Sequence, residues 1–314
     1  MKIKITLLLS LVISFFVLSS SESSQKKYSK EKLGEFLFNE KLLSLDSTVS
    51  CASCHKPEFA FSDTSAFSIG IGGKLTKRNT PSVLNMKNRP YYFWDGRAST
   101  LAQQSLMPIQ NPDEMNLSIH EALRRLNENE FYVHYFKKVF HRKPDSISLA
   151  KAFEAYENTL ETVDSKFDDW GENKLELSAQ EERGRKVFLS EKSRCFDCHF
   201  LVDFTNDDFK NIGLFNGILL NDKGRFNITN NPDDLGKFKT PGLRNIAVTA
   251  PYMHNGMFKT LEEVVDYYND PAAFVPNRIN IDSTLMKPLG LSPMEKADLV
   301  AFLKTLTDKK FVKN

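Results

Sequence analysis

Apolar and polar positions recur along this chain with helical spacing, and strand-like alternation is rare. Ser118 to Phe140 carries Ala122, Leu123, Leu126, Phe131, Val133 and Phe136 mostly on one helical face, and Ser118 followed by Glu121 has the form of a capping box. Ser148 to Phe167 repeats the pattern with Leu149, Ala152, Phe153, Tyr156, Leu160 and Val163. Ser178 with Glu181 opens another helix, and Ser292-Pro293 starts one that runs through Leu299, Val300, Phe302, Leu303 and Leu306. The stretches 63–90 and 200–240 differ: Gly, Pro, Asn and Asp punctuate them with little periodicity, so they read as long loops. The pattern predicts a mainly α fold with long loops and little or no sheet.

The N-terminus has its own layout. Met1-Lys2-Ile3-Lys4 is basic, Ile5 to Leu18 is almost wholly apolar, and a serine-rich stretch follows. That order matches a secretory signal peptide, here residues 1–22. The apolar run is short for a bilayer span, and no cysteine near residue 20 offers a lipid anchor. An exported protein is expected, with no stable membrane insertion once the leader is removed.

Charge adds little. The 42 basic and 40 acidic residues leave a formal net charge of +2 and no long basic run, which argues against a nucleic-acid binder.

Cysteine adds a great deal. All 4 cysteines fall into two copies of one pattern, Cys51-Ala52-Ser53-Cys54-His55 and Cys195-Phe196-Asp197-Cys198-His199. Cys-x-x-Cys-His is the attachment signature of c-type haem. Two thiols on one helical turn each add to a haem vinyl group, and the next histidine ligates the iron. A four-cysteine zinc site or a pair of disulfides would not require a histidine directly after each pair. Two covalently bound haem c groups are therefore expected.

The approaches to the two motifs also resemble each other. Leu33-Gly34-Glu35-Phe36-Leu37-Phe38 precedes the first, and Arg183-Gly184-Arg185-Lys186-Val187-Phe188 the second. This is the trace of an internal repeat. It predicts two cytochrome c-like haem domains, 23–167 and 168–314, divided at the polar junction Asp168 to Lys174.

Several further stretches resemble the bacterial dihaem cytochrome c peroxidase family, which also contains MauG. They are Arg78-Asn79-Thr80-Pro81-Ser82, Phe93-Trp94-Asp95-Gly96-Arg97-Ala98, Glu114-Met115 after Pro108, Leu243-Arg244-Asn245, and Ala250-Pro251-Tyr252-Met253-His254-Asn255-Gly256. The resemblance implies a periplasmic enzyme that reduces hydrogen peroxide at the first haem. Its electrons would come from a small reduced cytochrome c or cupredoxin through the second. By the same resemblance Glu114 is the distal acid–base group, Gln104 a distal hydrogen-bonding residue, and Trp94 the ring between the haems. Asn79, with the carbonyls of Thr249 and Pro251, matches a calcium site between the domains. A homodimer is also implied, although no self-complementary surface can be read from the sequence.

Two positions depart from the family's better-known pattern. Where many members carry a histidine that caps the peroxidatic iron, this chain reads Ser68-Ile69-Gly70-Ile71-Gly72-Gly73, and no histidine occurs from residue 56 to 119. Isoleucine cannot ligate iron, so an open first haem is expected in the fully oxidised state. On the second haem, the position of the usual methionine ligand is taken by Tyr268, as in MauG. Met286, Met253 and Met257 remain alternatives. The competing readings are a MauG-like oxidase that modifies a partner protein and a dihaem electron carrier without catalysis.

Overall fold

The computed structural model describes residues 28–200 and 202–312. The leader proposed over residues 1–22 lies outside them. Helices alternate with long loops, and the sheet content is one antiparallel pair, Phe209–Lys210 with Phe238–Lys239. Among the described residues no helix is long and apolar enough to cross a membrane.

The chain forms two halves around separate cores. Leu33, Phe38, Leu126, Phe136 and Phe153 sit at the centre of the first. Phe188, Val265, Tyr267, Phe302 and Leu303 sit at the centre of the second. Each core is organised by one helix crossing, and each crossing passes over a glycine. In the Lys30–Phe38 helix, a Cβ at Gly34 would stand 2.0 Å from the Ala152 carbonyl oxygen on the Ser146–Glu157 helix. In the Ala179–Phe188 helix, a Cβ at Gly184 would stand 1.9 Å from the Asp298 carbonyl oxygen on the Pro293–Lys304 helix. No real Cβ survives at that distance, so both positions demand glycine. The C-terminal helix thus packs on the helix that leads into the haem motif.

The repeat runs beyond these helices. Tyr92 bridges to Ala98 and Tyr252 to Phe258, each across a tight turn with a left-handed glycine, Gly96 or Gly256. A threonine then caps the next helix in both halves: Thr100 accepts from Gln103 N and Thr260 from Glu263 N. The halves are tied by a reciprocal pair of backbone bonds, Asn79 N to His254 O and Lys239 N to Trp94 O, both 2.7 Å. Charge pairs reinforce the seam: Arg89 reaches Asp203 and Asp207, and Arg78 binds both Asp95 and Asp222.

Two helices differ from the periodicity's expectation. Ser118–Phe140 is not continuous but splits into Ile119–Glu128 and Glu130–Phe140, because the Asn129 side chain turns back to cap Phe131 N and Tyr132 N. Ser118 does accept from Glu121 N, but the Glu121 carboxylate goes to Arg124 and Arg125. The helix expected to reach Phe167 stops at Glu157, because Asn85 takes the following segment. Its N–H donates to Leu160 O at 2.8 Å, and its side chain bonds both the N–H and the carbonyl of Thr162. A new helix, Lys166–Gly171, then starts at the Ser165/Asp168 capping box and contains the first part of the expected junction. Its Phe167 already packs on the second core.

Candidate functional site

The first cysteine pair lies on the short Cys51–Cys54 helix, started by a reciprocal Ser50/Ser53 capping box. His55 Nδ1 is 3.0 Å from the Phe61 carbonyl oxygen, and His199 Nδ1 is 2.8 Å from that of Phe204. A carbonyl only accepts, so Nδ1 carries the proton and Nε2 keeps its lone pair for a metal. Burial pulls both imidazoles below their ordinary pKa and holds them neutral, as ligation requires. None of the 4 thiols is in a disulfide. Two unbonded thiol pairs, each followed by a neutral, oriented imidazole, fit two covalently attached haems.

The loop at 68–73, which the family resemblance sets over the first haem, is held by backbone. Ile71 is 4 % exposed, and its N–H donates to Glu114 O at 2.8 Å. Gly70 allows that approach, since a Cβ there would meet the Asp113 carbonyl oxygen at 2.1 Å. From the same loop the buried Ser68 hydroxyl donates to Asp63 Oδ2 at 2.5 Å and pairs with Thr80 Oγ1 at 2.7 Å, which ties the loop to the segments on either side. Glu114 follows the Met107–Gln110 turn of helix, and its Oε1 accepts from Asn111 Nδ2 at 2.6 Å. Burial raises the Glu114 carboxyl above the usual glutamate range, and the Arg97 guanidinium pulls partly the other way. Gln104, on the Leu101–Ser105 helix, presents a buried Oε1 with no hydrogen-bond partner. A buried acceptor left open in this way costs roughly 1–3 kcal/mol unless something donates to it. It marks a place for a hydrogen-bond donor that the protein itself does not supply.

Around the second motif, one cavity is lined by Cys195, Cys198, His199, Leu299, Leu303 and Tyr268. Burial raises the Tyr268 phenol well above its ordinary pKa, and it lies close to Cys198 and Cys195. Met253 also lines this cavity, whereas Met286 is 62 % exposed and Met257 lies at the surface. The cavity extends to the seam between the halves, where Asn79, Trp94, Thr249 and Pro251 line it. Trp94 Nε1 donates to Asn79 O at 2.9 Å. The Asn79 amide hydrogens point to Ser65 O and Ala66 O, at 3.2 and 3.4 Å, which directs its Oδ1 away from them.

Asn111, Arg97 and Ser68 carry no role of their own that sequence reasoning assigned. Asn111-Pro112 carries only a turn signal, and Arg97 and Ser68 acquire their partners through folding alone. His120, His134 and His141 lie on or beside the helices at 119–140, away from both motifs in the chain.

Two c-type haem attachment helices, each with an oriented proximal histidine, within a mainly helical two-part fold define a dihaem c-type cytochrome. The chain belongs to the di-haem cytochrome c peroxidase family, whose model matches residues 28–176. It is 36 % identical over 284 residues to the methylamine utilization protein MauG of Methylorubrum extorquens, spanning 88 % of this chain and 78 % of that protein. It is 35 % identical over 290 residues to the cytochrome c551 peroxidase of Pseudomonas aeruginosa, spanning 89 % and 79 %. Among solved structures, a MauG-like protein associated with microbial copper homeostasis superposes with a TM-score of 0.82 at 35 % identity, over 90 % of each chain. The diheme peroxidase BthA of Burkholderia thailandensis superposes with a TM-score of 0.80 at 27 % identity, over 90 % of this chain and 86 % of that one. The protein is an oxidoreductase of the dihaem peroxidase type.

Proposed function

We propose that the chain reduces hydrogen peroxide to two waters at the first haem, drawing electrons one at a time from a small reduced cytochrome c or cupredoxin through the second. The observation that carries this reading is the pairing of Glu114 with Ile71. A buried, proton-accepting carboxyl stands beside a loop whose side chain cannot ligate iron.

When bound, the first haem would supply the redox chemistry that breaks the O–O bond. The remaining work falls to side chains. The Glu114 carboxylate takes the proton from the inner peroxide oxygen and returns it to the outer one, which leaves as water. Asn111 Nδ2 holds that carboxylate in place. The open Gln104 Oε1 accepts a hydrogen bond from the peroxide O–H and orients it. Trp94, bonded to Asn79 across from His254, bridges the halves on the electron's way from the second haem.

Tyr268 would be the protein's second ligand to the electron-transfer haem in this reading, with Met286 as the alternative; cavity lining and burial favour Tyr268. A phenolate ligand lowers the potential of haem iron relative to a thioether. Asn79 Oδ1 and the carbonyls of Thr249 and Pro251 would hold a calcium ion between the halves, since hard oxygen donors suit it. The protein works in the periplasm after removal of residues 1–22.

A second reading, peroxide-driven oxidation of a partner protein, is favoured by the same Ile71 loop together with Tyr268. The two readings are separated by mixing the fully oxidised, haem-loaded protein with one equivalent of peroxide. An immediate spectral change without prior reduction supports an open first haem, and rapid return on adding reduced cytochrome c supports the peroxidase. A diferric protein inert to peroxide overturns both.

A further inference from the structure

The two halves surround their proximal histidines with the same triad of aromatic rings. In the second half, Phe188 packs on Phe204 with ring centroids 5.9 Å apart and on Phe302 at 5.3 Å. In the first, Phe38 packs on Phe61 at 6.2 Å and on Tyr156 at 5.3 Å. Phe61 and Phe204 are the residues whose carbonyls hold the proximal imidazoles. Tyr156 and Phe302 both place their Cβ against the crossing glycine, Gly34 or Gly184. The triads therefore correspond ring for ring, with one chemical difference: a phenol, Tyr156, stands in the peroxidatic half where the electron-transfer half has Phe302.

A hydroxyl at that place has no evident packing purpose, since phenylalanine fills the equivalent site at the same ring distance. Phenol and benzene rings differ sharply in redox chemistry. A tyrosine gives up an electron together with its proton, whereas phenylalanine is inert at biological potentials. Phe38 lies between Tyr156 and His55, 5.3 Å from the first ring and 6.2 Å from the second. Tyr156 is also close to Cys51 of the first motif and to Glu157. It is only half-buried, so its proton can leave to water, on a side that carries the exposed carboxylate Glu35. On the far side of Glu35 the same core holds further phenols: Tyr135, itself buried, packs on Tyr28 at 4.9 Å and on Phe36 at 5.7 Å.

We propose that Tyr156 is a redox-active exit that discharges the oxidised first haem site through the proximal side when no electron donor is present. The proposal rests on peroxide reacting at that haem. Peroxide takes two electrons; two tyrosines each supply one electron and one proton, so that one peroxide and two phenols give two waters and two phenoxyl radicals. Tyr156 is the first of these, and a phenol of the Tyr135–Tyr28 group supplies the second. The route diverts oxidising equivalents away from the haem and its distal residues.

The test uses the haem-loaded protein, frozen at intervals after one equivalent of peroxide without donor and read by electron paramagnetic resonance. Native protein carrying ring-deuterated tyrosine should show a narrowed tyrosyl signal, and Tyr156→Phe should lose the early part of it. The equivalent Phe302 shows that this variant can pack. Added reduced cytochrome c should abolish the signal in the native protein. Under repeated peroxide without donor, Tyr156→Phe should lose its haem absorbance faster. An unchanged early tyrosyl signal in Tyr156→Phe, or equal bleaching of the two proteins, overturns the proposal while leaving peroxide reduction intact. If peroxide produces no optical change at all, both readings fall.

Discussion

Trp94 and His254 occupy equivalent places in the two halves and meet at the seam, their ring centroids 6.5 Å apart and inclined by 70°. Each presents its backbone carbonyl to the opposite half: Trp94 O to Lys239 N and His254 O to Asn79 N, both 2.7 Å. His254 is also stacked on Phe238 at 3.7 Å, and burial lowers its imidazole pKa to about 4, so it is neutral throughout the working range. The halves thus meet through an uncharged aromatic contact on a pseudo-twofold seam, which in the proposed function lies on the electron's way.

Trp94→Phe keeps an aromatic ring but loses the indole N–H that donates to Asn79 O. Stability should fall by about 1 kcal/mol, the net worth of one such bond. Electron transfer between the haems should slow at unchanged haem content. Stopped-flow reoxidation of the second haem after peroxide addition checks this; a rate equal to that of the native protein would remove Trp94 from the path.

Glu114→Gln should lower kcat/KM for peroxide by roughly 10²–10⁴-fold, the usual worth of a positioned acid–base group, with both haems still bound. The pH profile carries the sign. The base acts ionised, and burial raises its pKa, so activity should fall with decreasing pH above the ordinary glutamate range near 4.5. Arg97 opposes that shift. Arg97→Gln should therefore move the acid limb to still higher pH, and an unmoved limb would assign the titration to another group.

Tyr268→Phe should change the optical and paramagnetic signature of the second haem and raise its midpoint potential by removing an anionic ligand. Met286→Leu should leave both untouched, since Met286 is 62 % exposed. The reverse pattern would make methionine the ligand.

Much of this arrangement was legible in the sequence. The Cys51 and Cys195 motifs declare the haems because their chemistry is local: thiols and histidine must be neighbours in the chain. The Gly34/Gly184 repeat was visible for a similar reason, as each crossing glycine stands at the same short step before a core phenylalanine, Phe38 or Phe188, on one helix. What escaped depends on tertiary partners. Asn129 reads as one polar residue in a helical run until its side chain caps the next helix, and Asn85 gives no hint that it will end another at Glu157. The correspondence of Tyr92–Ala98 with Tyr252–Phe258 was obscured because the matching residues share backbone shape more than side chains. The Glu114 environment lay furthest from view, since Asn111, Arg97 and the Ile71 backbone converge on it only in the fold.

Glu157 offers a stability test independent of catalysis. It ends the Ser146–Glu157 helix buried, and that burial, with the Glu154 charge adding to it, raises its carboxyl pKa from 4.5 to about 8. A carboxyl raised in the folded state keeps its proton there while the unfolded chain has already released it. The stabilisation linked to that proton is complete below pH 4.5 and is lost progressively as pH rises through about 8. Glu157→Gln keeps the shape of the protonated acid and cannot ionise. Urea unfolding of the haem-loaded proteins should show similar stabilities near pH 4.5 and a gap opening with pH. By pH 9 the variant should lead by a margin on the order of a few kcal/mol, since each pKa unit corresponds to about 1.4 kcal/mol. Parallel pH dependences in the two proteins would mean that the Glu157 carboxylate is already ionised in the fold, stabilised by a partner that offsets its burial.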